Sequence, residues 1–335
     1  MISSETGTVN LILVACSQLP IGCSDTEMEL NYQNYYKPLA QLADRFPQSA
    51  WTIHLGGELL EWVSENHPEL TMLLREMIER RQLEPLGGGY YAPVLPIIPA
   101  LDRVGQIEKL TTALRVRFGT RPRGAWLTDC VWEPSLPHSL VASGMEYVFL
   151  DSSQFKAAGV IADEINNAHL TEDEGRVLSV IPIHHRLSDL MRTTSPEEAV
   201  AILISDADSA GDKVVVALDE PERLVDHGWL ERLLEAINAE PRFVPTTPRT
   251  YLRRHGTGGF TYFDCGMDSG SVPSPYGSSS SVSDYAVFRR NLSRMAESRL
   301  LYAKMIHVNL LVNQVRGDRE RRRAARNDLW RGQCG

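Results

Sequence analysis

Strand and helix patterns alternate about seven times along residues 1–268 of this chain. Continuous apolar runs, as within 10–16 and 213–218, are typical of strands buried on both faces. Between such runs, apolar residues recur at helical spacing, as at 33–45 and 101–118. Parallel strands need crossover helices of this kind, so the alternation predicts an α/β domain with a parallel, barrel-like sheet.

A carboxylate stands at the end of the predicted fourth strand. Residues 126–134 read Trp-Leu-Thr-Asp-Cys-Val-Trp-Glu-Pro, and the apolar run entering from Gly124 places Leu127 and Asp129 on one strand face. Catalytic groups of parallel α/β folds lie at this edge. Trp126 and Trp132 flank the carboxylate, which suits a sugar ring. The alternative is that Asp129 caps the next helix and both tryptophans belong to the core.

Two further strands also end in acidic residues. The run 213–218 leads into Asp219, Glu220 and Pro221, and Pro221 ends strand pairing there. The strand 146–151 ends in Asp151. The Asp-rich stretch 206–212 lacks the closing glutamate of a calcium loop, so we interpret it as a solvated turn. The residues from 152 to 176 are polar and predict a long surface loop.

Composition limits the possible partners. The net charge of −9 disfavours nucleic acid or an anionic membrane as the main partner, because both require a basic surface. The nine histidines show no metal-ligand spacing. The five cysteines are scattered and odd in number, which favours a reducing, cytoplasmic compartment. No stretch approaches the length that spans a bilayer.

The sequence texture changes after residue 268. Residues 269–283 are rich in Ser, Gly and Pro and predict a loop or linker. Residues 284–335 show a helical apolar stripe and are expected to pack on the barrel as a helical segment. Arginines crowd 316–331, but acidic residues interrupt them, so we interpret them as a solvated helix face rather than a nucleic-acid patch.

Several of these stretches together resemble glycoside hydrolase family 57. The third signature region of that family reads Trp-Leu-Thr-Glu-Arg-Val-Trp-Glu-Pro, and residues 126–134 differ from it only at Asp129 and Cys130. Residues 82–95 resemble its second region, and the similarity continues at 98–103, 227–230 and 288–305. The resemblance implies a distorted parallel (β/α)7 barrel followed by a helical segment. It also implies α-glucan or maltooligosaccharide substrates, as for 4-α-glucanotransferases and α-amylases.

The family uses two carboxylates and retains the anomeric configuration. Its nucleophilic glutamate corresponds here to Asp129, and its acid/base aspartate corresponds best to Glu220, so each acid is exchanged for the other. We expect no metal site, since the histidines lack ligand spacing, and no cofactor. The residues predicted to bind substrate are Gln18, Glu84, Trp126, Trp132, Asp151 and Asp219.

The sequence departs from the family at other polar positions. The His-x-His-Gln-Pro region is represented by 15–20, where both histidines are missing, and a glutamate of the second region is Ala92. The substrate-binding Leu-Arg-Tyr is matched best by 187–189, and 331–335 resembles the opening of the fifth region. Three interpretations therefore stay open: an active α-glucan enzyme with Asp129 as nucleophile or water-activating base and Glu220 as acid, a catalytically silent glucan-binding or regulatory homologue, and a decayed product of low solubility. The sequence leaves the oligomeric state open.

Overall fold

The computed structural model describes residues 8–19, 21–205, 213–219, 226–267 and 288–334, with the backbone alone for 213–219. Its strands are β1 Val9–Ser17, β2 Trp51–Leu55, β3 Leu83–Pro85, β4 Gly124–Ala125, β5 Tyr147–Asp151, β6 His169–Asp173, β7 Arg176–Ile183, β8 His185–Arg186, β9 Lys213–Asp219 and β10 Phe243–Pro245.

Helices connect these strands within the described ranges. They are α1 Asp25–Asn31, α2 Lys37–Arg45, α3 Gly57–Asn66, α4 Pro68–Glu79, α5 Ala100–Phe118, α6 Leu136–Ala142, α7 Ser152–Ala157, α8 Leu187–Thr193, α9 Pro196–Ser205, α10 His227–Ala239, α11 Pro248–His255, α12 Phe288–Arg294, α13 Ala296–Asn313 and α14 Arg319–Arg331. A π-helical turn, Tyr32–Tyr36, joins α1 to α2.

The strands form an irregular parallel barrel. One sheet has the order β3-β2-β1-β9-β8, with β10 beside β1, and the other has the order β4-β5-β7-β6. A parallel bridge from Gly87 to Ala125 joins β3 to β4, and β8 continues β7 after one residue and pairs with β9. The barrel therefore closes with β7 and β8 acting as one bent strand. The predicted distorted (β/α)7 fold is confirmed.

Strand β1 is buried on both faces, as its continuous apolar run predicts. Leu11 and Leu13 face outward to the helices, whereas Ile12 and Val14 face the barrel interior, and none is more than 1% exposed. The same alternation sets the direction of neighbouring side chains. This alternation places polar side chains of β2 and β3 inside the barrel.

The predicted surface loop at 152–176 is wrong. This region contains α7 and β6, and β6 pairs antiparallel with β7. Glu174 (φ 48°) and Gly175 (φ 75°) connect the two strands, and two positive φ values in succession are typical of a tight hairpin turn. The polar composition reflects an added strand at the outside of the sheet, where one face meets solvent.

The C-terminal helices are fixed to α5 through one buried carboxylate. Asp102, 4% exposed, accepts hydrogen bonds from Asn309 Nδ2 (2.6 Å), Trp330 Nε1 (3.0 Å) and Gln333 Nε2 (2.7 Å). A Cβ atom at Gly105 would lie 2.4 Å from the Trp330 ring, so only glycine permits this close approach. These contacts hold α13 and α14 against the barrel.

The division of the chain at 268 and 284 stays a prediction. The proposed linker 269–283 lies outside the described residues. Within the described ranges, no helix has the length and apolarity needed to cross a membrane.

Candidate active site

Three of the predicted site residues, Asp129, Asp151 and Asp219, lie at the carboxyl edge of the barrel. Asp151 is the last residue of β5, and Asp219 is the last residue of β9, where it lies opposite Ala15 of β1. The turn that carries Asp129 follows β4 at the same edge. Strand ends of a parallel barrel hold side chains rigidly around a common cleft, so this edge is the candidate active site.

Asp129 lies in a strained turn. Strand β4 ends at Ala125, and Thr128–Cys130 forms a short 3-10 turn, so the expected strand placement of Asp129 is wrong. Asp129 and Cys130 both have φ 50°, and the neighbouring Ala92 has φ 48°. Each such left-handed residue costs about 1–3 kcal/mol, and such strain clusters at functional sites. The turn leaves the Asp129 side chain exposed.

A neighbouring loop and helix α7 support this turn by hydrogen bonds. Thr128 Oγ1 donates to the carbonyl oxygens of Ala92 and Pro93, both at 3.2 Å. The buried Gln154 donates from Nε2 to the carbonyl oxygen of Cys130 at 3.2 Å. The conformation around Asp129 is therefore set by the loop at 92–93 and by helix α7.

Asp151 caps α7 as well as ending β5. Its Oδ1 accepts a hydrogen bond from the Ser153 backbone N–H at 2.9 Å, and its own N–H donates to Gln154 Oε1 at 3.0 Å. This capping box satisfies helix-end donors that would otherwise have no partner. Asp151 thus orients Gln154, and through it the turn of Asp129.

The two tryptophans of the motif are covered by protein. Trp132 is 1% exposed, its Nε1 donates to the carbonyl oxygen of Phe263 at 3.2 Å, and its ring packs edge-on against that of Phe263. Trp126 is 7% exposed and packs with Leu86 and Cys130 in the barrel interior. Both pack in the core of this structure, as the alternative interpretation had it, and their contact with substrate stays a prediction.

Glu84 points into the barrel below the edge rather than into the cleft. It pairs in register with Thr52, near the start of β2, and accepts hydrogen bonds from the Tyr147 hydroxyl (2.8 Å) and the Arg249 N–H (3.2 Å). Burial raises the pKa of Glu84, and hydrogen bonds from Tyr147 and Thr247 offset part of that shift. These contacts join β3, β5 and α11.

We expect Tyr147→Phe to lower the free energy of unfolding by about 2 kcal/mol, because it removes a hydrogen bond to a buried carboxylate. Urea denaturation measures the change. Tyr262→Phe is the matched control, since its hydroxyl donates to Glu172 at 3.2 Å but the residue is 65% exposed. We expect less than about 0.5 kcal/mol for the control. Equal losses in the two variants would contradict a structural role for the Tyr147 and Glu84 pair.

Gln18 lies in a small cleft at the edge. The cleft is also lined by Glu58, Tyr91 and Ala92, so Gln18 is placed beside the loop that contacts Thr128. Lys109 Nζ donates to the Tyr91 hydroxyl at 2.6 Å and lies 3.9 Å from the Tyr90 ring centroid. This wall of the cleft is polar and contains aromatic rings.

Glu220 lies outside the described residues, and β9 is described by its backbone alone. The backbone of Asp219 nevertheless ends β9 at the candidate site. Arg186 is opposite Leu218, one residue before Asp219, so it belongs to this edge. The sequence comparison had matched the substrate-binding Leu-Arg-Tyr to 187–189 and so did not identify Arg186. In the structure, Asp189 lies in α8 and pairs with Arg192 at 2.6 Å.

Two further residues near the site, His54 and Glu133, were not identified from sequence. His54 is fully buried in the barrel, and among the described residues neither ring nitrogen has a hydrogen-bond partner. Burial lowers the pKa of His54 to about 4, and the nearby carbonyl groups of Leu86 and Gly87 offset only part of the effect. The sequence offered only a histidine late in a buried strand, which is a weak signal.

Glu133, the last acid of the motif, fixes α12 to the barrel. It accepts hydrogen bonds from both Nε and Nη2 of Arg289, and Nη2 also donates to the carbonyl oxygen of Pro96 at 2.8 Å. The carboxylate raises the pKa of Arg289. Within the part of the chain that is described, no cluster of three or more His, Cys, Asp or Glu residues could hold a metal ion.

The fold is an irregular (β/α)7 barrel, and Asp151 and Asp219 end two of its strands at the carboxyl edge. The family model described as glycosyl hydrolase family 57 matches residues 17–261. This chain therefore belongs to glycosyl hydrolase family 57, which confirms the resemblance seen in the sequence.

Individual relatives include both amylases and glucanotransferases. The chain is 35% identical to alpha-amylase 1 of Dictyoglomus thermophilum over 248 residues, which is 70% of this chain and 36% of the relative. It is 34% identical to the 4-alpha-glucanotransferase of Thermococcus kodakarensis over 264 residues, 76% of this chain and 40% of the relative.

A solved relative shares nearly the whole of the described architecture. The crystal structure of the 4-alpha-glucanotransferase from Thermococcus litoralis matches with a TM-score of 0.84 and 28% identity, covering 98% of this chain and 55% of that protein. The chain thus spans about half of this structure and well under half of the two sequence relatives.

Proposed function

We propose that this chain binds α-glucans at the carboxyl edge of the barrel and acts on them with Asp129 and Glu220. The observation that carries the proposal is the strained, exposed Asp129 at the edge where β9 ends in Asp219. The names of the relatives, amylases and 4-alpha-glucanotransferases, support an α-glucan or maltooligosaccharide as substrate. The proposed activity is either hydrolysis, as in the amylases, or glucan transfer, as in the 4-alpha-glucanotransferases.

The proposed reaction has two displacement steps. The Asp129 carboxylate attacks the anomeric carbon while the Glu220 carboxyl gives its proton to the leaving glycosidic oxygen. A water or sugar hydroxyl then attacks the same carbon, releases Asp129 and returns a proton to Glu220. Glu220 continues the acidic end of β9, and Gln18, Asp151, Asp219 and Arg186 are proposed to border the sugar.

The exchange of acids sets the expected rate. An aspartate is shorter than a glutamate by roughly 1.5 Å, one C–C bond. A misplacement of that size costs on the order of a hundredfold in rate. The longer Glu220 on the opposite side restores part of the reach. We therefore expect slow turnover of maltooligosaccharides rather than rates typical of an optimised enzyme.

Incubation of the chain with maltoheptaose, followed by chromatography of the products, tests the proposal. We expect shorter or longer maltooligosaccharides to appear, and we expect Asp129→Asn to reduce their rate by a hundredfold or more, because an amide can neither attack nor accept the proton. Asp173→Asn is the matched control, since Asp173 ends β6 opposite Arg176, the first residue of β7, away from the carboxyl edge. Product formation that Asp129→Asn leaves unchanged would refute the catalytic assignment.

A catalytically silent glucan-binding or regulatory homologue is the second candidate function. It is favoured by the missing histidines at 15 and 17, where Ser17 Oγ instead hydrogen-bonds the Tyr36 hydroxyl at 2.8 Å. Calorimetric titration with maltoheptaose separates the two candidates. Binding without products supports the silent homologue, whereas absence of both binding and products contradicts any role with glucans.

We also propose that the protein works in a reducing, cytoplasmic compartment.

A further inference from the structure

The segment from α14 to Cys334 contacts a loop at the carboxyl edge of the barrel. This loop consists of residues 90–93, and we call it the edge loop. Pro93 of the loop forms an antiparallel bridge with Cys334. Arg331, the last residue of α14, pairs with Glu58 at 3.1 Å, and Glu58 lines the small cleft beside the edge loop. Two segments that are far apart in sequence therefore meet at the candidate site.

A buried glutamine joins these two segments. Gln106 of α5 is fully buried, and its Oε1 accepts a hydrogen bond from the Tyr91 N–H at 3.1 Å. Its Nε2 donates to Gln333 Oε1 at 3.2 Å, and Gln333 Nε2 donates to Asp102 at 2.7 Å. The N–H at one end of this chain can only donate and the carboxylate at the other end accepts. The two amide groups between them are therefore held in one orientation.

Lys109 provides a second link between the edge loop and α14. Its Nζ donates to the Tyr91 hydroxyl at 2.6 Å and to Asn327 Oδ1 of α14 at 3.4 Å. It also lies 3.9 Å from the ring centroid of Tyr90 and 4.3 Å from that of Tyr91, where an ammonium group attracts an aromatic ring. Gln106 and Lys109 are three residues apart on α5, so one face of this helix carries both links.

The edge loop in turn supports the turn that carries Asp129. Thr128 Oγ1 donates to the carbonyl oxygens of Ala92 and Pro93, which directly follow Tyr91. Ala92 and Asp129 have φ values of 48° and 50°. Such conformations persist only where the surrounding structure determines them. A displacement of the edge loop would therefore move Asp129 or release its conformation.

We infer that Gln106 and Gln333 are positioning residues for the proposed reaction, because through the edge loop they hold Asp129 where it attacks the sugar. The inference rests on the proposed function, since it gives the turn of Asp129 a task. Gln106 is fully buried, so it acts through the loop and not by touching a substrate. A displacement of the nucleophile by about 1 Å costs on the order of a hundredfold in rate.

Hydrogen exchange followed by mass spectrometry tests the structural link. Gln106→Met removes both hydrogen bonds of this side chain and nearly keeps its length. We expect peptides that cover 88–93 and 127–132 to exchange roughly tenfold faster or more in the variant, because their local opening becomes easier.

Gln82→Met is the matched control. Gln82 is also buried, and its Nε2 donates to the carbonyl oxygens of Ala43 at 2.7 Å and Phe46 at 3.0 Å. It directly precedes β3, at the opposite end of the strand from the carboxyl edge. This variant also loses buried hydrogen bonds, but the two peptides should exchange as they do in the wild type.

Kinetics with maltoheptaose test the positioning role. We expect Gln106→Met and Gln333→Met each to lower kcat by about tenfold or more and to leave KM within about twofold, because a displaced nucleophile affects the chemical step and not the binding of the ground state. Gln82→Met should keep the wild-type kcat at temperatures where all the variants are folded. A residue with only a structural role would not lower kcat selectively in the folded protein.

Gln106→Glu is the conservative variant. A protonated carboxyl group accepts from the Tyr91 N–H and donates to Gln333, as the amide does, whereas the ionised carboxylate has no proton to donate. We therefore expect its kcat, divided by that of the wild type at the same pH, to rise as the pH falls. The same ratio for Gln106→Met should stay constant.

The outcomes separate this inference from the proposed function. Unchanged exchange of both peptides in Gln106→Met, a wild-type kcat in that variant, or an equal loss of kcat in Gln82→Met would each overturn the inference alone. If the wild type makes no products from maltoheptaose, the proposed function fails and the positioning role is overturned with it.

Discussion

Replacing Asp102 by alanine is expected to lower the free energy of unfolding by about 4 kcal/mol. The carboxylate accepts three hydrogen bonds from Asn309, Trp330 and Gln333 in a site that is 4% exposed. Each buried donor left without an acceptor costs about 1–3 kcal/mol. Urea denaturation followed by circular dichroism gives the loss. Asp102→Asn keeps one acceptor oxygen, so we expect it to lose about half as much.

The same variant should loosen the C-terminal helices selectively. Trypsin cleaves after arginine, and α14 contains several exposed arginines. We therefore expect Asp102→Ala to be cut within 288–334 at lower trypsin concentrations than the wild type. Asp25→Ala, at an exposed aspartate in the first turn of α1, is the control and should change stability by less than about 1 kcal/mol. Wild-type stability in Asp102→Ala would show that these helices are held in another way.

The second large effect concerns acid sensitivity and His54. Burial lowers its pKa to about 4 in the folded chain, whereas the value is about 6.5 when the chain is unfolded. Between these values the unfolded chain binds a proton that the folded chain does not, so stability falls as the pH drops from about 6.5 to 4. The shift corresponds to a loss on the order of 3 kcal/mol over that range.

His54→Leu removes this proton, so its stability should fall less steeply on acidification. Relative to the wild type, the free energy of unfolding of His54→Leu should be about 2 kcal/mol more favourable to the folded state at pH 5 than at pH 7. Urea unfolding at both pH values measures the difference. His307→Leu, at an exposed histidine of α13, is the control and should follow the wild-type pH dependence. Parallel pH curves for His54→Leu and the wild type would mean that His54 is already protonated or solvated.

Sequence patterns predicted most of the barrel because its strands are buried on both faces. A continuous apolar run, as at 11–16 in β1 and at 214–218 in β9, has few other interpretations when helical spacing follows it. The hairpin of β6 and β7 was missed, since an outer strand with one solvated face has the polar composition of a loop. Its turn at Glu174 and Gly175 was the available signal.

The site was predicted less completely than the fold. Proximity to a strand end correctly placed Asp129, Asp151 and Asp219 at the carboxyl edge. The direction and cover of each side chain depend on residues distant in sequence, such as Phe263 against Trp132 and Tyr147 against Glu84. No local pattern contains these pairings.

The sequence by itself determined the alternation of strands and helices, the family and the acids at the strand ends, because these follow from local periodicity and short motifs. Only the tertiary structure decided that Asp129 is strained and exposed, that His54 is buried without a partner among the described residues, and that Asp102 holds the C-terminal helices. The reason is physical: burial and hydrogen bonding depend on which distant segments meet, and that is fixed when the barrel closes.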